Sequence, residues 1–422
     1  MVATASSGNT QKYVIIGGGP ASVRAVETLR KADPYCSITM IGQENEEPYS
    51  RMALPYYLIG MIKETGTHLR KTPGYFDSLR VNRICAKVTK VDPASKQVTL
   101  DNGDQIPYDK LLIATGSRPS NSPFPGGDNE GVQGCWTLED GRKILEKTES
   151  GSKVVLLGAG FVACIILKSF VTRGVDLTVM LGRSGNMVSR MMDETAGDMI
   201  KRWCESKGVK TILPSDIEAI EPGPSLRWKD GTSTDYDLVI VATGVKSNME
   251  FLEGSGVKTD SGILVDAQMR TSVEDIFAAG DVAQGVDFST GGYSVHAIQP
   301  TAVDHGRIAA QNMMGGSVEY KGSLSMNVLD TFGLVSCSFG SWQGVEGGES
   351  SHLVDEENFK YIKLEFKDDL LVGAVAVGRT DQIGILRGLI QSAVPLGEWK
   401  QRLMDDPTQI MNAYLSQSLA VA

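Results

Sequence analysis

Two segments far apart in this chain each pass from a short apolar run through a glycine turn into a helical pattern. In the first, Tyr13 to Ile16 is followed by Gly17-Gly18-Gly19-Pro20-Ala21-Ser22 and a helical pattern from Val23 to Lys31. In the second, Val154 to Leu157 is followed by Gly158-Ala159-Gly160-Phe161-Val162-Ala163, a helix to about Arg173 and a strand from Leu177 to Leu181. A strand that turns on glycine directly into a helix opens a βαβ unit, whose strands are parallel and whose helices cover the sheet. Two such openings predict an α/β chain with two related nucleotide-fold domains. A further duplication agrees: Tyr108-Asp109-Lys110-Leu111-Leu112-Ile113-Ala114-Thr115-Gly116 recurs as Tyr236-Asp237-Leu238-Val239-Ile240-Val241-Ala242-Thr243-Gly244. Each copy follows a turn pair, Asn102-Gly103 or Asp230-Gly231, of the kind that favours a tight hairpin. Each reads as a β-meander leading into a buried strand that ends in small residues.

Beyond Gly244 the chain has a strand signal at Ile263 to Val265, the run Thr271 to Asp281, and a helix from about Pro300 to Met314. From Asn327 the pattern is strand-rich, with Tyr361 to Phe366 and Leu371 to Val377 joined by the turn Lys367-Asp368-Asp369. Two helical stretches, about Asp381 to Gln391 and Leu396 to Leu403, follow, so the last hundred or so residues read as an α+β domain. A length of 422 residues accommodates two or three domains.

Charge and cysteine usage narrow the function classes. A net charge of -10 argues against a nucleic-acid binder, which needs a basic face to neutralise phosphates. The most apolar stretch, Val154 to Leu167, contains two glycines and stops at Lys168, short of a bilayer span. The N-terminus has no basic region followed by an apolar core, so a cytoplasmic location is expected. Cys36, Cys85, Cys135, Cys164, Cys204 and Cys337 are scattered with no C-x-x-C pair, so neither zinc nor an iron-sulfur cluster is expected in this chain.

The glycine turns carry the chemistry. Between a strand and a helix, G-x-G-x-x-G aims backbone N–H groups and the positive helix end at a pyrophosphate, and glycines leave room for that approach. The first turn places Ser22 at the third position and the second places Ala163 there, a variant that still permits close helix packing.

Taken together, Gly17-Gly18-Gly19-Pro20-Ala21, Tyr49-Ser50-Arg51, the paired Ala-Thr-Gly strands, Phe277-Ala278-Ala279-Gly280-Asp281 and the strand-rich tail resemble one family over essentially the whole chain. It is the FAD-dependent pyridine nucleotide-disulfide oxidoreductase superfamily, with two dinucleotide-binding domains. The branch that looks most similar holds rubredoxin and ferredoxin reductases and the flavin modules of nitrite reductases; the ending from Gly397-Glu398-Trp399-Lys400 to Tyr414 is similar to its tail.

The resemblance implies FAD and either NAD(H) or NADP(H) as cofactors. It divides the chain into an FAD-binding domain in two parts, 1–121 and 247–325, an NAD(P)-binding domain, 122–246, and a C-terminal α+β interface domain, 326–422. It implies that Gly17, Gly19, Pro20, Ala21 and Ser22 hold the FAD pyrophosphate and that Glu44 accepts hydrogen bonds from the adenosine ribose. Arg51 would be a cation near the flavin and its phosphates. Val88, Ala114, Thr115, Gly116 and Gly280 would complete the FAD site, with Asp281 holding the ribityl chain at a helix N-terminus. Gln299 and Ala302 would lie on the helix that runs under the flavin ring, whose dipole favours negative charge there. Gly158, Gly160, Phe161, Val162, Ala163, Arg183 and Gly244 would form the nicotinamide nucleotide site.

Two departures from the family pattern are informative. Relatives with a redox thiol carry C-x-x-x-x-C in the first helix region or a single Cys just before Gly-x-Pro-Tyr-Tyr. Here that place reads Arg51-Met52-Ala53-Leu54-Pro55-Tyr56-Tyr57. A Met52 thioether cannot form a thiolate, so flavin-centred chemistry without a protein sulfur is expected. Cys36 and Cys85 are expected to be buried packing residues. In the second site, the acid expected at the end of the second strand falls on Leu181 and that of the following helix on Ile165. Without a carboxylate there is no acceptor for a ribose 2′-hydroxyl and no repulsion of a 2′-phosphate, which leaves NADH and NADPH both open.

The resemblance implies an enzyme that moves hydride between nicotinamide and FAD and single electrons between FAD and a separate iron-sulfur or rubredoxin-like partner. It could serve as the flavin subunit of a larger iron-sulfur oxidoreductase complex, or form homo-oligomers. Two other readings stand beside it: an FAD relay subunit with a non-functional nicotinamide site, and an NAD(P)H oxidase.

Overall fold

The computed structural model describes residues 10–379 and 381–420. Two five-stranded parallel sheets are built to one plan. The first has the order Ile276–Ala278, Lys110–Ile113, Lys12–Ile16, Ser37–Gly42, Val81–Cys85, and the second Lys210–Ile212, Asp176–Met180, Lys153–Leu157, Leu238–Val241, Val132–Gln133. In each, the strand before the glycine turn lies between the next strand in sequence and the strand ending in Ala-Thr-Gly. Val14 pairs with Thr39 and Leu111, and Val155 pairs with Thr178 and Val239. Strand order therefore reverses beside both glycine turns, where a crevice opens at the carboxyl ends of parallel strands. These central strands are apolar on both faces because both faces are covered, and Val154 to Leu157 are fully buried.

The hairpin signals form two antiparallel three-stranded meanders, Val88–Asp92 with Gln97–Leu100 and Gln105–Pro107, and Ile217–Glu221 with Ser225–Trp228 and Ser233–Asp235. Ser117–Pro119 and Val245–Ser247 pair antiparallel. Arg118 reaches across that pair, with Nη1 at 2.8 Å from Asn248 Oδ1 and Nη2 bonded to Glu250 Oε1.

The C-terminal region is a five-stranded antiparallel sheet in the order Met326–Thr331, Leu334–Gly340, Leu370–Val377, Lys360–Lys367, Glu349–Asp355. Its alternation serves two cores. Tyr361, Val375 and Val377 pack with the second parallel-sheet domain, whereas Ile362, Ala374 and Ala376 pack with the helices that follow. Those helices are three among the described residues: Ile383–Ser392, Glu398–Asp405 and Ile410–Ala420, the last beyond the two helical stretches expected. Among the described residues no helix is long and apolar enough to cross a membrane.

Candidate functional site

The first glycine turn works through its backbone. Gly17 has φ +124°, and a Cβ there would fall 2.1 Å from the Ala114 carbonyl oxygen, so no other residue fits. A Cβ on Gly18 or Gly19 would meet nothing within 4 Å. The helix Pro20–Ala32 that follows has Gly19 as its cap, no capping side chain and no acid in its first turn. Its first N–H groups are thus left for an anion, and the helix dipole favours one. Ser22 lies behind the turn with its Oγ buried and unpartnered. Close packing at this turn is completed by another element: a Cβ on Gly306, in the helix Gln299–Met313, would fall 2.2 Å from Ala21 O.

This turn opens into a cavity of about 1720 Å³. Gly17, Gly19, Pro20, Ala21, Glu44, Arg51, Val88, Ala114, Thr115, Gly116, Gly280, Asp281, Gln299 and Ala302 all line it, although they come from segments across nearly 300 residues. Phe161 and Val162, from the start of the helix Phe161–Thr172, line it too, as do Ile165 and Met52. Ser22 does not, being buried beneath the turn.

Side chains in the cavity wall form one hydrogen-bonded chain. Arg51 Nη2 lies 2.6 Å from Glu44 Oε1, and Nη1 donates to the Tyr49 hydroxyl at 3.1 Å and to the Trp136 carbonyl at 2.8 Å. Its guanidinium lies over both rings, 5.5 Å from the centroid of Tyr49 and 5.6 Å from that of Trp136. Tyr49 donates to Glu44 Oε2 and accepts the Leu138 N–H at 3.2 Å. Trp136 Nε1 donates to Ser117 O at 2.9 Å, and Ser117 Oγ donates to Asp281 Oδ2 at 3.3 Å. Burial pushes the Asp281 carboxyl pKa upward, partly offset by Ser117 and by the charge of Arg51. A partly buried carboxylate with one weak side-chain donor is short of partners, and hydroxyls of a bound ligand would supply them.

Asp281 does not sit at the start of its own α-helix as expected. Gly280–Val282 is a single 3₁₀ turn running into the strand Ala283–Val286. The helix end on this wall belongs to Gln299–Met313, which also lacks a capping side chain and a first-turn acid. Ser50 Oγ donates to Gln299 Oε1 at 2.9 Å across its start.

The second glycine turn repeats the first in backbone and departs from it in side chains. Gly158 has φ +126°, a Cβ there would fall 2.4 Å from Ala242 O, and Gly160 is open above. Thr243 Oγ1, beside this turn, is buried without a partner. Gly158, Gly160, Ala163, Arg183 and Gly244 lie outside the lining of the large cavity. Arg183 is exposed and has no partner among the described residues. The second strand ends at Met180, one residue before the expected Leu181. Leu181 is 3% exposed and packs into the core with Met187 and Val188.

Cys85 corrects another expectation: it is exposed at the end of the strand Val81–Cys85 and lines the cavity, whereas Cys36 is buried as expected. Cys164 is a core residue. Met52, in the thiol position, is 45% exposed. All six cysteines are free, and among the described residues no group of His, Cys, Asp or Glu could hold a metal ion. Ser117, Trp136 and His296 line the cavity without having been singled out from the sequence. Ser117 had a signal, since it directly follows the Ala-Thr-Gly strand end; Trp136 and His296 had none.

The residues present fit a flavin dinucleotide: two open glycines under an uncapped helix end, an orphaned Ser22 hydroxyl behind them and an under-partnered Asp281 across the cavity. Comparison with known proteins agrees. Residues 11–306 match the pyridine nucleotide-disulphide oxidoreductase family, and residues 326–394 match the rubredoxin NAD+ reductase C-terminal domain. The chain is 32% identical over 413 residues to the epsilon subunit of the NADH-dependent phenylglyoxylate dehydrogenase of Aromatoleum evansii, covering 96% of this chain and 98% of that one. It is 29% identical to the assimilatory nitrate reductase electron transfer subunit of Bacillus subtilis (strain 168), covering 90% of this chain but only 49% of that relative, about half its length. In fold it superposes on the reductase–putidaredoxin covalent complex with a TM-score of 0.88 at 21% identity, over 97% of this chain and 100% of that one. The chain therefore belongs to the pyridine nucleotide-disulphide oxidoreductase family, whose members are oxidoreductases that use FAD and NAD(H).

Proposed function

We propose that this chain is an FAD-dependent NAD(P)H oxidoreductase that passes single electrons between its flavin and an iron-sulfur or rubredoxin-like partner, as the flavin subunit of a larger assembly. The observation that carries the reading is the junction of the open first glycine turn with Asp281, Glu44 and Arg51 in one cavity that also reaches the helix after the second turn. When bound there, flavin supplies the chemistry of accepting hydride and giving up electrons one at a time.

The chain's own residues bind and orient. The backbone N–H groups of Gly18, Gly19 and Ala21 would hold the pyrophosphate, Glu44 the adenosine ribose, and Asp281 the ribityl hydroxyls. Arg51 is held by Glu44 and Trp136 as a cation beside the phosphates. The N-terminus of Gln299–Met313 would favour negative charge on the ring. Gly160 and the first turn of Phe161–Thr172 would receive the nicotinamide pyrophosphate, with Gly158, Ala163, Arg183 and Gly244 completing that site. Phe161, Val162 and Ile165 line the cavity on the side of the second turn and would shield a ring bound there from water. The division into 1–121 and 247–325 for FAD, 122–246 for the nicotinamide nucleotide and 326–422 as an interface region belongs to the same proposal. The rubredoxin-reductase match of residues 326–394 and the electron-transfer names of the relatives support the partner class.

A second reading, a flavin relay that does not turn over nicotinamide, is favoured by one observation: no carboxylate stands at Leu181 or Ile165. Anaerobic titration of the purified flavoprotein separates the two. Bleaching of the flavin by NADH or NADPH supports the oxidoreductase, and no bleaching by either, with full bleaching by a chemical reductant, supports the relay. Fast reoxidation by air alone would mark an oxidase instead.

A further inference from the structure

Between the strand Ala283–Val286 and the helix Gln299–Met313 the chain folds back on itself, and His296, on the return limb, lines the cavity. His296 Nε2 lies 3.2 Å from Asp287 Oδ2, and the two side chains are only 12% and 8% exposed. Asp287 Oδ1 accepts the N–H groups of Ser289 at 2.7 Å and Thr290 at 3.2 Å. Backbone thus fixes the carboxylate on one side and the imidazole on the other. Burial pushes the Asp287 pKa upward, but the hydrogen bonds from His296 and Ser289 outweigh it and leave the carboxyl below its usual range. With Asp287 accepting from Nε2, Nδ1 is left as the ring nitrogen without a partner, and it is buried.

The remaining neighbours sharpen the assignment. His305, on the helix behind, is 3% exposed with both ring nitrogens unpartnered and its ring edge-on to Tyr320 at 4.9 Å. Burial, helped by the nearby His296, pushes its pKa down to about 4, so it stays neutral at physiological pH. The Tyr320 hydroxyl lies 3.1 Å from Ser323 Oγ, and Asp304 and Arg387 are the charges that reach it. On the cavity side the lining carries Asp281, the Glu44–Arg51 pair and charged groups of other wall segments, among them Arg118, Asp140, Arg190 and Glu250. Of the two imidazoles, only His296 has a counter-ion.

Hydride transfer from a reduced nicotinamide delivers two electrons and one proton, which leaves the receiving ring with a negative charge inside a low-dielectric cavity. Resting on the flavin reading above, we propose that His296, oriented by Asp287, takes one proton from solvent as the flavin gains two electrons and returns it as they leave. The balance closes: two electrons pass to the partner, and the proton of the hydride and the proton held by His296 both go back to water. His296 acts here by compensating charge, and Asp287 is its positioning residue.

The test is to reduce the purified holoprotein electrochemically, with no nicotinamide present, in weak buffer with a pH indicator, and to count protons per two electrons. Wild type is expected to take up about one proton more than His296→Gln near neutral pH. Asp287→Asn, which keeps an acceptor for Nε2 but removes the counter-ion, is expected to lower uptake in the same sense and serves as the second variant should His296→Gln not fold. Flavin content of each protein is read from absorbance after unfolding. Equal proton uptake by flavin-loaded wild type and the variants overturns the role of His296 alone. A wild type that holds no flavin overturns the reading beneath it.

Discussion

The two glycine turns share a backbone and differ in what surrounds it. Both use a left-handed glycine against the carbonyl of an Ala-Thr-Gly strand end, and both leave the next glycine open above an uncapped helix. Around the first turn, five polar and charged side chains converge from separate segments: Glu44, Arg51, Ser117, Trp136 and Asp281. Around the second, the corresponding positions are Leu181 and Ile165, and the cation Arg183 has no partner among the described residues. The open turn under an uncapped helix start is a backbone property common to both. Which dinucleotide each would hold, and how tightly, rests on side chains at neighbouring strand ends, and those differ.

The largest expected effect tests the shared backbone. Gly17→Val drives a Cβ into the Ala114 carbonyl from a positive φ and should cost at least about 3 kcal/mol, with flavin lost. Gly158→Val meets Ala242 O in the same way and should cost a similar amount in urea unfolding while flavin is retained by the fraction that folds. Equal flavin loss in both would break the assignment of the two turns to different nucleotides.

Asp281→Asn probes the side chains around the first turn. It should weaken FAD binding by about 10- to 100-fold, measured by retention through gel filtration, because a charged acceptor is lost. In the apoprotein the sign reverses. Burial raises the Asp281 pKa on folding, so as pH climbs from the ordinary carboxyl range to that higher value the unfolded chain loses its proton first and the native state loses stability. The variant lacks that loss, so above this window its apoprotein should be more stable than wild type, as denaturant curves at acid and neutral pH would register. No gain at neutral pH would mean that Asp281 is well partnered without a ligand.

A smaller effect is expected from restoring the missing acid. Leu181→Glu should raise the ratio of NADH to NADPH utilisation about tenfold. It should also destabilise the fold by about 1–3 kcal/mol, since the carboxylate enters the core that Leu181 now fills. Unchanged selectivity would show that the nicotinamide ribose does not approach this strand end. The smallest effect concerns sulfur. Iodoacetamide should label Cys85 alone in the native protein and change the rate of flavin reduction by less than about twofold. Abolished reduction would contradict chemistry without a thiol, and labelling of Cys85 that bound FAD does not slow would move the cavity's occupant away from that wall.

What could be read along the chain was whatever is encoded by neighbouring residues. The glycine turns, the meanders and the strands on either side of Lys367-Asp368-Asp369 were legible because turn geometry and alternation are short-range. The helix Ile410–Ala420 carries no such periodic signal, because its apolar residues lie on both faces, with Ile410 and Ala413 buried and Met411, Tyr414 and Leu415 exposed. The 3₁₀ turn at Asp281 resembles a helix start in sequence, and only the strand that follows shows otherwise. Cys85 sits in a strand whose final residue the fold leaves open to the cavity.

Residue order alone thus determined the two parallel-sheet domains, the two open glycine turns and the family, because each depends on backbone conformations that a few adjacent residues impose. Packing decided the rest: that Glu44, Arg51, Trp136, Ser117 and Asp281 form one chain, that Leu181 is core and that Asp287 holds His296 in the cavity wall. Contacts between residues 164 positions apart, as between Ser117 and Asp281, or 249 apart, as between Ser50 and Gln299, exist only once separate strands and helices have docked, and no local pattern records them.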